Sequence, residues 1–136
     1  MGDRNTYNDH IIAQFRANAG HTDFDGPVLL LTTIGAKSGQ PRTTPLGYSR
    51  DGDQLVVIAS AGGAPTHPAW YFNLVAHPVV TVEVDADTFA ARATVAEGAE
   101  RERLYALVAL VPGFSNPQEK TARQIPVIIL TRLDEG

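Results

Sequence analysis

At 136 residues the chain has the size of one domain, 1–136, with room for a real core and too little length for two ordinary domains. Its 43% apolar and 19% charged content is that of a globular protein. The lack of cysteine excludes disulfides, thiolate metal sites and a cysteine nucleophile, and a formal charge of −4 argues against a general nucleic-acid binder.

From Asn5 to Ala19, Ile11, Ile12, Phe15 and Ala19 fall at helical spacing, with Asn8 and Asp9 as capping residues and Gly20 as the stop, so an amphipathic N-terminal helix is expected. Val28 to Thr33, ending at Gly35, reads as a first strand. A turn through Lys37-Ser38-Gly39-Gln40-Pro41 leads into a second strand, Arg42 to Arg50, in which Pro45 marks a bulge or an edge. Asp51-Gly52-Asp53 is a turn, and Gln54 to Ser60 a buried third strand. Ala61 to Pro68 is a Gly- and Pro-rich loop, and Pro68 begins a short helix, Ala69 to Ala76, that Pro78 stops. Val79 to Val84 and Thr88 to Ala96 form a hairpin around Asp85-Ala86-Asp87. Glu100 to Val111 is helical, stopped by Pro112 and Gly113, and Pro126 to Thr131 is the last strand. Six strands without a βαβ rhythm predict a mainly β (α+β) fold, a mostly antiparallel closed or partly closed sheet with flanking helices.

No apolar run is long enough to cross a bilayer, and the first thirty residues lack the unbroken apolar stretch of a signal peptide, so a cytoplasmic protein is expected. Peripheral membrane association through the N-terminal helix, and a monomer or a homodimer, stay open. His10, His21, His67 and His77 lack the spacing of a zinc site and read as solvated or capping residues, so no metal is expected. Gly35-Ala36-Lys37-Ser38 lacks the glycines of a nucleotide-triphosphate loop, and neither a G-x-S-x-G elbow nor a G-x-G-x-x-G fingerprint occurs. Chemistry must then come from a bound cofactor.

Three segments fit one. Lys37 and Arg42 bracket a turn with Ser38 and Gly39 that can present two cations, a hydroxyl and backbone N–H groups to a phosphate; the plainer reading is a solvated hairpin turn. Ala59-Ser60-Ala61-Gly62-Gly63 are small enough for a flat ring to approach the backbone closely, although ordinary turns use the same residues. Trp70 and Tyr71 either cover such a ring or fill the core. Together they point to a long anionic ligand with an aromatic head.

The chain resembles the deazaflavin-dependent nitroreductase family of actinobacteria. The likeness rests on Phe15-Arg16-Ala17-Asn18, Leu30-Leu31-Thr32-Thr33 with Gly35 and Lys37-Ser38-Gly39, Arg42, Pro45-Leu46, Ala59-Ser60 with Gly62-Gly63, Pro68-Ala69-Trp70-Tyr71 with Asn73-Leu74, and Thr121 with Arg123 and Ile125-Pro126-Val127. It implies a flavin-reductase-like split β-barrel and coenzyme F420. The tail of the coenzyme would lie on Lys37, Ser38, Gly39 and Arg42, with Pro45 and Leu46 among the binding residues. Its ring would lie against Ala59 to Gly63, with Pro68, Trp70, Tyr71 and Asn73 nearby. The implied reaction is hydride transfer from the reduced deazaflavin to a small organic acceptor: a quinone, an activated enone or a nitro compound. Ser60 is the one candidate catalytic donor, and Tyr48 or Tyr105 are further contributors. Ala36 stands where the family often has arginine. At positions where the nitroreducing member has tyrosines, this chain has Gly47, Val111, Phe114 and Pro117, which implies an apolar acceptor pocket and poor nitroimidazole reduction. The rivals are an FMN-dependent reductase on the same barrel and a non-catalytic carrier of the coenzyme.

Overall fold

The structure, a computed structural model, describes residues 3–23, 26–60, 64–110 and 116–133, with side chains from Tyr7 onward. Three helices, α1 (Asp3–Ala17), α2 (Ala69–Ala76) and α3 (Gly98–Val108), flank seven strands: β1 (Val28–Ile34), β2 (Pro41–Gly47), β3 (Ser49–Asp51), β4 (Gln54–Ile58), β5 (Val79–Val84), β6 (Asp87–Val95) and β7 (Val127–Arg132). All pairings are antiparallel, in the order β2-β1-β5-β6-β7-β4-β3.

The two edge strands of this order, β2 and β3, are separated in the chain by Tyr48 alone, so the sheet must curl until its edges meet at that residue. The result is a split barrel. Strand number is the main departure from expectation: the single strand Arg42 to Arg50 is two strands. Gly47 pairs with Val28, the first residue of β1, so β2 has no partner beyond that point, and from Ser49 the chain pairs with Val56 of β4 instead. Pro45 lies on an edge strand, where its missing N–H breaks no ladder.

The apolar runs follow from what covers each face. Leu29 and Leu31 of β1, Leu55 and Val57 of β4, and Ile128 and Leu130 of β7 point into the barrel with Val80, Val82, Val84, Ala91 and Ala93. The alternate residues Val28 and Leu30 pack under Phe15 of α1, while Val56, Val127 and Ile129 pack under Leu104 and Val108 of α3. Strands buried on both faces read as continuous apolar runs; β5 and β6, covered on one face, alternate. Trp70 and Leu74 of α2 join the interior cluster, so Trp70 is a core residue.

Helix α1 begins at Asp3, which puts Asn8 and Asp9 inside the helix rather than at its cap. It ends where expected: Ala19 and Gly20 take positive φ, and the Gly20 N–H donates to Phe15 O at 2.9 Å. Its apolar side chains Ile11 and Phe15 are buried, Phe15 against Val28 and Leu30. Among the described residues no helix is long and apolar enough to cross a membrane. Helix α3 runs from Gly98 to Val108, earlier than the expected Glu100 to Val111. A 3₁₀ turn, Pro117–Lys120, was not legible in the pattern.

Candidate functional site

A groove of about 1180 Å³ runs between α1, the β1–β2 turn and α2, and Asn8, Ile12, Lys37, Arg42, Phe72 and Asn73 are among its walls. Its shape starts with Gly35. A Cβ there would collide with Ser38 Oγ, so glycine lets the turn fold back on itself, with Gly35 N–H donating to Gln40 O (2.8 Å) and Gly39 N–H to Gly35 O (2.9 Å). Ser38 Oγ accepts from Gln40 N–H at 3.1 Å, leaving its own proton free to donate.

The turn is anchored from α2. The Asn73 side chain, 8% exposed, accepts from Ala36 N–H at 3.0 Å and donates to Thr33 Oγ1 at 3.1 Å, and Thr33 is fully buried. Arg42 sits opposite Thr33 in the β1–β2 register, so one amide sets the strand position from which Arg42 projects and the turn that carries Lys37.

Three cations reach the groove. Arg16 is neutralised by a two-pronged pair with Glu83 at 2.8 and 3.2 Å. Lys37 and Arg42 are exposed, and neither makes an ion pair among the described residues. Lys37 and Arg42 thus stand on the groove with Ser38, and Asp9 of α1 lines it too.

The residues expected at a ring lie at the end of β4 and about the start of α2. Ala59 is buried at the end of β4, and Ser60 is half-buried, its hydroxyl without a hydrogen bond among the described residues. Ala61, Gly62 and Gly63 lie outside the described residues. Pro68 caps α2 with extended backbone, and Tyr71 is half-buried behind it. The structure thus brings Lys37, Ser38, Arg42 and Asn73 together in one groove; Ala59, Ser60, Pro68, Trp70 and Tyr71 do not line it among the described residues. Gly39 is at the tip of the turn, Pro45 is a buried residue of β2, and Leu46 packs on the barrel core.

Of the expected acceptor pocket, Gly47 is exposed and Tyr48 packs against the core at the β2–β3 junction, its ring 5.6 Å from the Arg50 guanidinium. Pro117 is buried in the 3₁₀ turn, and none of the three lines the groove; Val111 and Phe114 lie outside the described residues. Tyr105 is engaged structurally: its hydroxyl donates to Asn116 Oδ1 at 2.6 Å, and burial pushes its pKa up.

Two participants had no role in the residue pattern. Arg123 donates to the carbonyls of Ala59, Ser60 and Ala64 and bonds to His67 Nδ1. His67, half-buried, thus has a specific partner that its reading as a solvated or capping residue did not include. Its ring stands 4.7 Å from Tyr71, and burial, then the Arg123 charge, hold its pKa below the ordinary value. The only signal was Arg123 inside a family motif; nothing in sequence joins residues 56 positions apart. Behind this cluster, Arg101 of α3, 6% exposed, donates to Ile125 O at 2.6 Å and Gln118 Oε1 at 3.0 Å.

The curled antiparallel sheet and the groove between α1, the β1–β2 turn and α2 together define a split barrel with a ligand-sized groove. The model of the F420H(2)-dependent quinone reductase family matches residues 6–132. An F420H(2)-dependent quinone reductase of Mycobacterium tuberculosis is 44% identical over 110 residues, which are 78% of this chain and 74% of that protein. Among solved structures, an F420-H2 dependent reductase is 40% identical with a TM-score of 0.70, covering 82% of this chain and 99% of that one. Another, described as a domain-swapped dimer, is 38% identical with a TM-score of 0.72, covering 88% and 93%. The chain belongs to the F420H(2)-dependent quinone reductase family, oxidoreductases whose cofactor is coenzyme F420.

Proposed function

We propose that the chain reduces quinones at the expense of reduced coenzyme F420, held along the groove with its anionic tail on Lys37 and Arg42. The observation that carries this is the pair of uncompensated cations on a groove of about 1180 Å³. The donor set fits a phosphate- and carboxylate-bearing ligand: two positive groups and the Ser38 hydroxyl, with Asn73 fixing the turn. Bound there, the reduced coenzyme supplies the hydride. The chain's own work is binding, orientation and the exclusion of water. In this reading the ring reaches past the groove toward half-buried Tyr71, with Trp70 in the core behind it, and the Ser60 hydroxyl serves a ring or acceptor oxygen.

The test is a fluorescence titration of the coenzyme into Lys37→Ala and Arg42→Ala. Each substitution should weaken binding by about 1–3 kcal/mol, roughly 5- to 150-fold in Kd. Wild-type affinity in both variants refutes the assignment. The smaller, apolar residues at 47, 111, 114 and 117 support quinone or enone turnover and poor turnover of bicyclic nitroimidazoles, and steady-state assays of the two acceptor classes separate them. A homodimer, as in the domain-swapped relative, is checked by light scattering.

A further inference from the structure

Arg123 is a cation without a carboxylate. Its Nε donates to Ala64 O at 2.8 Å, one terminal nitrogen to Ser60 O at 2.8 Å, and the other to Ala59 O at 3.2 Å and to His67 Nδ1 at 2.7 Å. No acidic group pairs with it among the described residues. Four of the five N–H bonds of a guanidinium are thus committed to the end of β4 and the approach to α2.

The geometry also fixes the state of His67. A guanidinium only donates, so Nδ1 must accept, and the ring is neutral with its proton on Nε2. Tyr71 and Phe72 of α2 pack on the ring at 4.7 and 5.8 Å. Among the described residues, the titratable and charged groups facing His67 are Tyr71 from α2 and Arg123 from the segment before β7, with no carboxylate.

We propose that Arg123 is a positioning residue of the reductase, which, through the carbonyls of Ala59 and Ser60 and the neutral imidazole of His67, holds Ser60 and the start of α2 in register at the ring end. This rests on the assignment of Ala59 and Ser60 to that end. One consequence follows from the chemistry of the pair. Protonating His67 turns its acceptor nitrogen into a donor facing a guanidinium, so the bond is lost and two cations are left in contact. Acid therefore releases one of the four arms.

Coenzyme affinity, measured by fluorescence titration from about pH 5 to pH 8 around the histidine range, tests this on wild type, Arg123→Lys and His67→Asn, with Lys37→Ala as reference. Arg123→Lys keeps the charge but concentrates its donors on one nitrogen, and Kd should rise about tenfold with the melting temperature near wild type. His67→Asn keeps an acceptor and removes the titration. Relative to its own value at neutral pH, its loss of affinity toward acid should be smaller than that of wild type by the histidine's share. The comparison cancels any titration of the coenzyme itself. Wild-type affinity in Arg123→Lys, or superimposable acid limbs in wild type and His67→Asn, overturns the proposal. If Arg123→Lys fails to fold, the His67→Asn profile decides alone. Weak binding by Lys37→Ala alongside unchanged Arg123→Lys sinks the positioning role and leaves the groove assignment standing; the reverse pattern sinks the groove assignment and leaves Arg123 in place.

Discussion

Asn73→Leu removes the amide that ties α2 to the β1–β2 turn, and its cost can be assembled from the two bonds lost. The Ala36 N–H, on an exposed residue, can turn to water, so that bond is worth about 0.5–1.5 kcal/mol. The Thr33 hydroxyl is fully buried and has no such recourse, which adds about 1–3 kcal/mol for a polar group left without a partner. Urea unfolding should therefore show a loss of about 1.5–4.5 kcal/mol at unchanged m-value. The double variant Thr33→Val/Asn73→Leu separates the two parts, because replacing both partners by apolar groups removes the orphaned hydroxyl. It should be more stable than Asn73→Leu by about 1–3 kcal/mol. A single variant within about 0.5 kcal/mol of wild type, or a double variant no better than the single, would refute the clamp.

Other substitutions probe the same framework. Gly35→Ala forces a methyl group onto Ser38 Oγ and should cost about 1–3 kcal/mol in thermal unfolding, with Ser38→Ala recovering part of it in the double variant. Arg101→Met leaves Ile125 O without its charged donor and should cost about 1.5–3 kcal/mol in urea unfolding. At the surface, the hydrogen bonds from Arg103 hold the Asp51 carboxyl below its usual range. A depressed folded-state pKa stabilises the fold above the unfolded value and loses that contribution as pH falls through the folded one. Carbon-detected NMR titration should show Asp51 moving up toward the ordinary carboxylate range in Arg103→Gln.

How much of this was legible depended on the range of the interaction. The β1, β4 and β7 runs announced themselves because both their faces are covered. Helix α2 matched its expected limits, Ala69 to Ala76, because Pro68 and Pro78 bound it locally. The Lys37–Arg42 turn was readable for the same reason. The break at Tyr48 was not, since it depends on where β1 runs out opposite Gly47 rather than on any residue of the broken strand. Asn73 was named for the site by family likeness, but its tie to Ala36 and Thr33 was not legible, since it joins residues 37 and 40 positions apart. His67 looked inert because its partner, Arg123, reaches it only through the closure of the barrel.

The central claim is tested most directly by titrating the purified protein with oxidised coenzyme F420 and, in parallel, FMN, then following oxidation of the reduced coenzyme by menadione. The account predicts preference for the deazaflavin and menadione-dependent oxidation of F420H2. Preference for FMN would contradict the cofactor assignment, and tight binding without oxidation would make the protein a carrier and not a reductase.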